Sequence, residues 1–112
     1  MKTLPLSVLF FGMLLFATLT AHAADLPTFK LTMNAGQLIP ATVEVPANTK
    51  FRLEITNAGT GAAEFESLEL RKESVLAPGV TRTLVFAPLK PGRYPFFDDF
   101  HLDSAKGHIE AK

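Results

Sequence analysis

The segment Phe96-Phe97-Asp98-Asp99-Phe100-His101-Leu102-Asp103 delivers three carboxylates and an imidazole within six residues, where a run of apolar residues stops. Oxygen and nitrogen donors clustered on a loop suit a transition-metal ion. The plainer alternative is a solvated turn in which Asp98 or Asp99 accepts backbone N–H bonds while His101 points to water. A second acidic group lies at Glu64-Phe65-Glu66-Ser67-Leu68-Glu69-Leu70-Arg71-Lys72-Glu73. Read as one strand, this stretch puts Glu64 and Glu66 on the side of Leu68 and Leu70, with Phe65 on the other. Those leucines read as core-facing, so the two carboxylates are expected to continue a core-facing row. That is costly unless they are paired or bind a metal. Glu69, Arg71, Lys72 and Glu73 read as an ordinary charged outer face. His108, after Gly107, offers a further nitrogen, although a lone exposed histidine is the commoner outcome.

Other chemistry is missing. The sequence has no cysteine, no Gly-x-Ser-x-Gly elbow, no phosphate-cradling glycine loop and no dinucleotide fingerprint, which argues against covalent catalysis. Eleven basic and eleven acidic residues give a formal net charge of zero. They are interspersed, so neither nucleic acid nor an anionic membrane is an expected partner.

The elements that must position these residues repeat at period two: Phe29, Leu31 and Met33, then Val43 and Val45, then Phe51, Leu53 and Ile55. Such alternation marks half-buried strands. Within the first of these rows Met33 reads as core. Breakers at Asn34-Ala35-Gly36, Pro46-Ala47-Asn48, Asn57 to Gly61, Ala77-Pro78-Gly79 and Lys90-Pro91-Gly92 separate the strands. Later strands are expected at Thr81 to Phe86, Arg93 to Phe97 and, as an edge, Lys106 to Ala111. About seven short strands predict an all-β fold, an antiparallel β-sandwich with Greek-key connections.

Ahead of them, Lys2, an apolar run from Leu4 to Thr20 and the triplet Ala21-His22-Ala23 have the order of a secretory signal peptide. The run is short for a membrane span. Residues 1–23 are therefore expected to be cleaved, taking His22 with them and leaving one exported domain, 24–112, without a span. A domain that size holds one modest core. In an oxidising compartment its lack of cysteine leaves stability to the core or to bound metal.

Taken together, Asn34-Ala35-Gly36-Gln37-Leu38-Ile39-Pro40, Val45-Pro46-Ala47-Asn48-Thr49, Glu64-Phe65-Glu66-Ser67, Ala77-Pro78-Gly79, Leu89-Lys90-Pro91-Gly92-Arg93-Tyr94 and Phe96-Phe97-Asp98-Asp99-Phe100-His101 resemble the cupredoxin-like periplasmic domains of bacterial high-affinity iron uptake, including the N-terminal domain of EfeO-type proteins. The resemblance covers essentially all of 24–112. It implies that Asp98 falls where cupredoxins carry a cysteine and that His101 keeps their second histidine. Acid around Ala63-Glu64-Phe65-Glu66 replaces the first histidine. No methionine follows, so the axial position is vacant or filled by a residue such as His108.

These replacements have a chemical direction. Without thiolate the chain is not a blue-copper protein, and carboxylates favour Fe(III), Fe(II), Cu(II) or Zn(II) over Cu(I). The resemblance thus implies a periplasmic metal-binding accessory of an iron uptake system that takes iron or copper through Glu64 or Glu66, Asp98 or Asp99, and His101. Its partner would be an inner-membrane iron permease or a periplasmic iron-binding protein. Anionic ligands stabilise Fe(III) and favour oxidation of Fe(II), but a ferroxidase role would also need an electron acceptor such as dioxygen, bound copper or a partner. A rival reading is a non-metal interaction module that uses Phe96, Phe97 and Phe100 as a contact patch.

Overall fold

The computed structural model describes Thr3 and residues 25–112; the expected signal peptide, 1–23, otherwise lies outside the described residues. Among the described residues nine strands form: β1 Thr28–Asn34, β2 Gln37–Ile39, β3 Thr42–Val45, β4 Phe51–Asn57, β5 Ala63–Ser67, β6 Lys72–Leu76, β7 Thr81–Phe86, β8 Gly92–Asp98 and β9 Lys106–Ala111. They build two sheets, one ordered β2-β1-β4-β7 and the other β3-β9-β8-β5-β6. The all-β sandwich is as expected, with two more strands than the alternation revealed. β2 has only three residues, and β6 is too charged to stand out.

Each sheet is mixed rather than wholly antiparallel. β1 runs parallel to β4 and β3 parallel to β9. A parallel neighbour needs a crossover, and here the chain supplies one by passing through β2 and into β3 of the opposite sheet before returning to β4. The β1–β2 connection is a two-residue turn, Ala35-Gly36, with positive φ at both positions. That geometry matches the twist of a tight hairpin.

The inner faces of both sheets follow the period-two rows. Leu31, Met33, Phe51, Leu53, Ile55, Phe65, Leu76, Phe86, Phe96 and Ile109 are all buried, including Met33 as expected. Phe51 stacks on Phe86 with centroids 4.9 Å apart, Phe29 meets Phe51 edge-on, and Phe65 tilts against Phe96 at 5.1 Å. Such contacts add to the stabilisation from burial. Phe96 is thus a core residue and not part of an exposed aromatic patch. Among the described residues no helix is long and apolar enough to cross a membrane.

Candidate metal centre

β5 ends at Ser67, and residues 68–71 form the turn of a hairpin into β6. Arg71 takes a positive φ there and donates its amide to the Leu68 carbonyl. Ala63, Phe65 and Ser67 face the core, so Glu64 and Glu66 lie half-buried on the outer face of the five-stranded sheet. This corrects the expectation of a core-facing acidic row. Leu68, 70 % exposed in the turn, is not an inward residue at all. The inward position belongs to Ser67, whose hydroxyl donates to the Pro95 carbonyl across 2.8 Å.

β8 delivers the other half. Its register pairs Phe65 with Asp98 and Glu66 with Phe97, so Asp98 points inward and is 1 % exposed. A buried carboxylate needs partners, and Asp98 has three. Its Oδ1 accepts from the amides of Glu64 (2.9 Å) and Phe100 (3.0 Å), and its Oδ2 meets His101 Nδ1 at 2.8 Å. The Asp99 amide donates to the Glu64 carbonyl, while the amides of Ser104 and Ala105 donate to the His101 carbonyl. This tight loop turns Asp99 outward.

The result is a cluster in which one oxygen from each of Glu64, Glu66 and Asp99 lies within 4.8 Å of the others. Glu73, on β6 directly opposite Glu66, adds a fourth carboxylate nearby. Glu73 lies exposed on the outer face, as its charged surroundings in the sequence imply, and the pairing register of the hairpin brings it to Glu66. Among the described residues the ion pairs are His101–Asp98 and Lys112–Glu44, so no lysine or arginine forms an ion pair with the cluster, although Arg71 and Lys72 line the depression that Glu66 and Glu73 share. Partial desolvation and then the charges of Asp99, Glu73, Glu66 and Asp98 hold the Glu64 carboxyl above the usual carboxylate range. The same desolvation, with Asp99 and Glu73, raises Glu66.

Hard cations take oxygen ligands at roughly 2.0–2.6 Å, so small side-chain rotations would bring three oxygens at this spacing onto one ion. The donor set fits a hard cation and lacks the soft ligands that Cu(I) requires. His101 belongs to a different microenvironment. With Nδ1 directed at Asp98, Nε2 is the nitrogen left for a ligand, an arrangement typical of metal-binding histidines. The β1–β2 turn packs on this ring: a Cβ at Gly36, whose φ is +89°, would lie 3.4 Å from His101 Cβ and Cδ2 and 2.6 Å from Ser104 Oγ.

His108 stands apart from both groups. β9 begins with Lys106 opposite Phe97, which places His108 opposite Pro95, further along the ladder from the Asp98 loop. Its ring lies 3.5 Å from the Thr42 hydroxyl and 3.0 Å from an Arg93 guanidinium nitrogen. Of the six residues expected to ligate metal, the structure brings together Glu64, Glu66 and Asp99. Asp98 and His101 form an adjoining pair.

Known proteins share this architecture. Auracyanin from Roseiflexus castenholzii superimposes with a TM-score of 0.65 at 14 % identity, covering 76 % of this chain and 96 % of that one. The metal binding domain of the Streptococcus pneumoniae D39 Cu(I) exporting P-type ATPase CopA gives 0.67 at 15 %, covering 76 % and 84 %. At these identities the likeness concerns the fold. By sequence, an uncharacterized protein of Rickettsia prowazekii (strain Madrid E) is 45 % identical over 80 residues, 71 % of this chain and 64 % of that protein. The iron uptake system component EfeO of Yersinia pseudotuberculosis serotype I (strain IP32953) is 34 % identical over 80 residues, 68 % of this chain and only 21 % of EfeO. The chain therefore spans less than two thirds of either relative. Residues 7–111 match the cupredoxin-like domain family, and the chain belongs to it.

Proposed function

We propose that this chain is an exported accessory of iron uptake whose outer-face carboxylates Glu64, Glu66 and Asp99 bind an iron ion. The observation that carries the reading is the approach of these three groups to within 4.8 Å with no ion pair to a lysine or arginine among the described residues. Like charges held together cost energy that a bound cation removes. Support for iron comes from the donor chemistry and from the relative EfeO, an iron uptake system component. Periplasmic residence rests on the signal-like order of residues 1–23. The expected partner is a membrane permease or a second iron-binding protein.

Copper is the second reading, favoured by the Asp98–His101 pair with its free Nε2. Cu(II) accepts imidazole readily. The fold neighbour from CopA is described with Cu(I), which the absence of cysteine here disfavours.

The test is titration of metal-free protein with Fe(III) as its nitrilotriacetate chelate and with Cu(II), using wild type, Glu66→Gln, Asp99→Asn and His101→Ala. Iron binding is expected to weaken at least tenfold in both carboxylate variants and little in His101→Ala, with copper showing the reverse order. Equal affinities across all four proteins would overturn the site. Fractionation of expressing cells, with the mass of the mature chain, tests export and cleavage before Ala24.

A further inference from the structure

Phe97 lies beside Glu66 in the β5–β8 register and, like it, faces outward. On the other side of Phe97, Pro95, Leu102, Asp103, Lys106 and Phe97 itself line an open depression of about 360 Å³. Leu102 is 52 % exposed. With half-buried Phe97 and exposed Pro95 it makes the lining of the depression largely apolar, and contiguous apolar surface of this kind marks a contact site.

Charge selects the occupant. Adjacent strands sit about 4.8 Å apart, so the Phe97 wall of the depression borders directly on Glu66, with Glu73 the next residue along the same row. Glu64 and Asp99 extend that negative field. Lys106 and Asp103 carry one charge of each sign. Arg71 and Lys72 share the neighbouring surface with Glu66 and Glu73 without an ion pair to either, and with Glu64 and Asp99 the face stays net acidic. An anionic bilayer or a nucleic acid would be repelled. A protein segment with an aromatic side chain for the depression and arginine or lysine beside it meets both features, because apolar anchors supply affinity while complementary charge steers encounter and fixes register.

We infer that this face docks a basic, aromatic-bearing segment of another protein, with the aromatic ring in the Phe97–Leu102 depression and its cations on Glu66 and Glu73. Docking uses the empty carboxylates and does not depend on metal binding. A bound cation would weaken it by cancelling the field, so loading the site would release the partner.

The chain contains no tryptophan, so the indole fluorescence of an amidated peptide with one tryptophan between paired arginines reports binding directly. With chelator present, the mature chain is expected to bind this probe saturably, with Kd below about 1 mM. Leu102→Asp and Phe97→Ala should each weaken binding at least fivefold. Glu66→Gln combined with Glu73→Gln should flatten its salt dependence, and a peptide with glutamates in place of the arginines should not bind. No saturable binding, equal binding of the acidic peptide, or an unchanged Leu102→Asp variant would each overturn the inference. So would concentration-dependent self-association that Leu102→Asp abolishes, because a second copy would then be the occupant. Fe(III) titration of Leu102→Asp separates the two readings: retained iron binding with lost peptide binding supports docking as an independent property.

Discussion

The Glu64 amide donates to Asp98 Oδ1 across 2.9 Å, so the residue that presents one outer-face carboxylate is fastened to a carboxylate buried on the opposite face of the sheet. Asp98 also orients His101. Asp98→Asn keeps the shape and both amide bonds but turns an acceptor toward His101 Nδ1 into an N–H donor. The imidazole must then carry its proton on Nε2, which removes the lone pair a metal would use. The expected outcome is a switch of the His101 tautomer in ¹⁵N NMR spectra and at least a tenfold loss of Cu(II) affinity, at a stability cost of only about 1 kcal/mol. Asp98→Ala strands both amides and should cost roughly 2–4 kcal/mol in urea unfolding.

The crowded carboxylates predict an unusual pH response. Glu64 and Glu66 titrate higher in the folded chain than in the unfolded one, so above the unfolded value the folded state holds more protons. Stability from these two groups is fully present at low pH and is lost as pH rises through their folded values. As pH falls from neutral through their raised folded values, the metal-free protein should gain stability from them, against the usual trend for paired carboxylates. Glu66→Gln, which removes the repulsion from Glu73 across the hairpin, should raise the Tm at pH 7 by roughly 2–4 °C and reduce its pH dependence. A lowered Tm at pH 7 would show that the charge is compensated.

Much of this was legible in the sequence because burial writes itself as alternation. Phe29 to Met33 and Phe51 to Ile55 have one buried face each, and their rows fixed both the fold class and most strand positions. Phase was legible only while a strand lasted. Leu68 and Leu70 invited extrapolation through a hairpin turn, since buried Ser67 is polar and satisfies its hydroxyl on Pro95, and the inner and outer faces of Glu64-Phe65-Glu66 were exchanged as a result. Local clustering found Asp98, Asp99 and His101, but only the β5–β8 register separates inward Asp98 from outward Asp99. The joining of Glu73 to Glu66 and the distance of His108 from the Asp98 loop likewise come from strand pairing.

Two glycines with similar backbones separate conformational strain from crowding. Gly36 and Gly79 have φ of +89° and +78°, yet a Cβ at Gly79 would meet nothing within 4 Å whereas one at Gly36 would lie 2.6 Å from Ser104 Oγ. Alanine at either position pays for a left-handed conformation, roughly 1 kcal/mol. Gly36→Ala must in addition turn the Ser104 hydroxyl aside and brings a methyl group against the His101 ring. It should destabilise the protein more than Gly79→Ala does and alone shift the His101 resonances.

The two histidines among the described residues give the sharpest comparison. His101 is oriented by a buried carboxylate and is one-third exposed, the situation of a ligand whose second nitrogen is free. His108 instead lies against an arginine guanidinium, and a neighbouring cation repels a metal ion. His101→Ala is therefore expected to lower Cu(II) affinity at least tenfold, while His108→Ala leaves both Cu(II) and Fe(III) affinities within about twofold of wild type in parallel calorimetric titrations. Loss of binding on removing His108 would mean that metal displaces Arg93 and recruits the far end of β9, and the centre would then have to be rebuilt around both imidazoles.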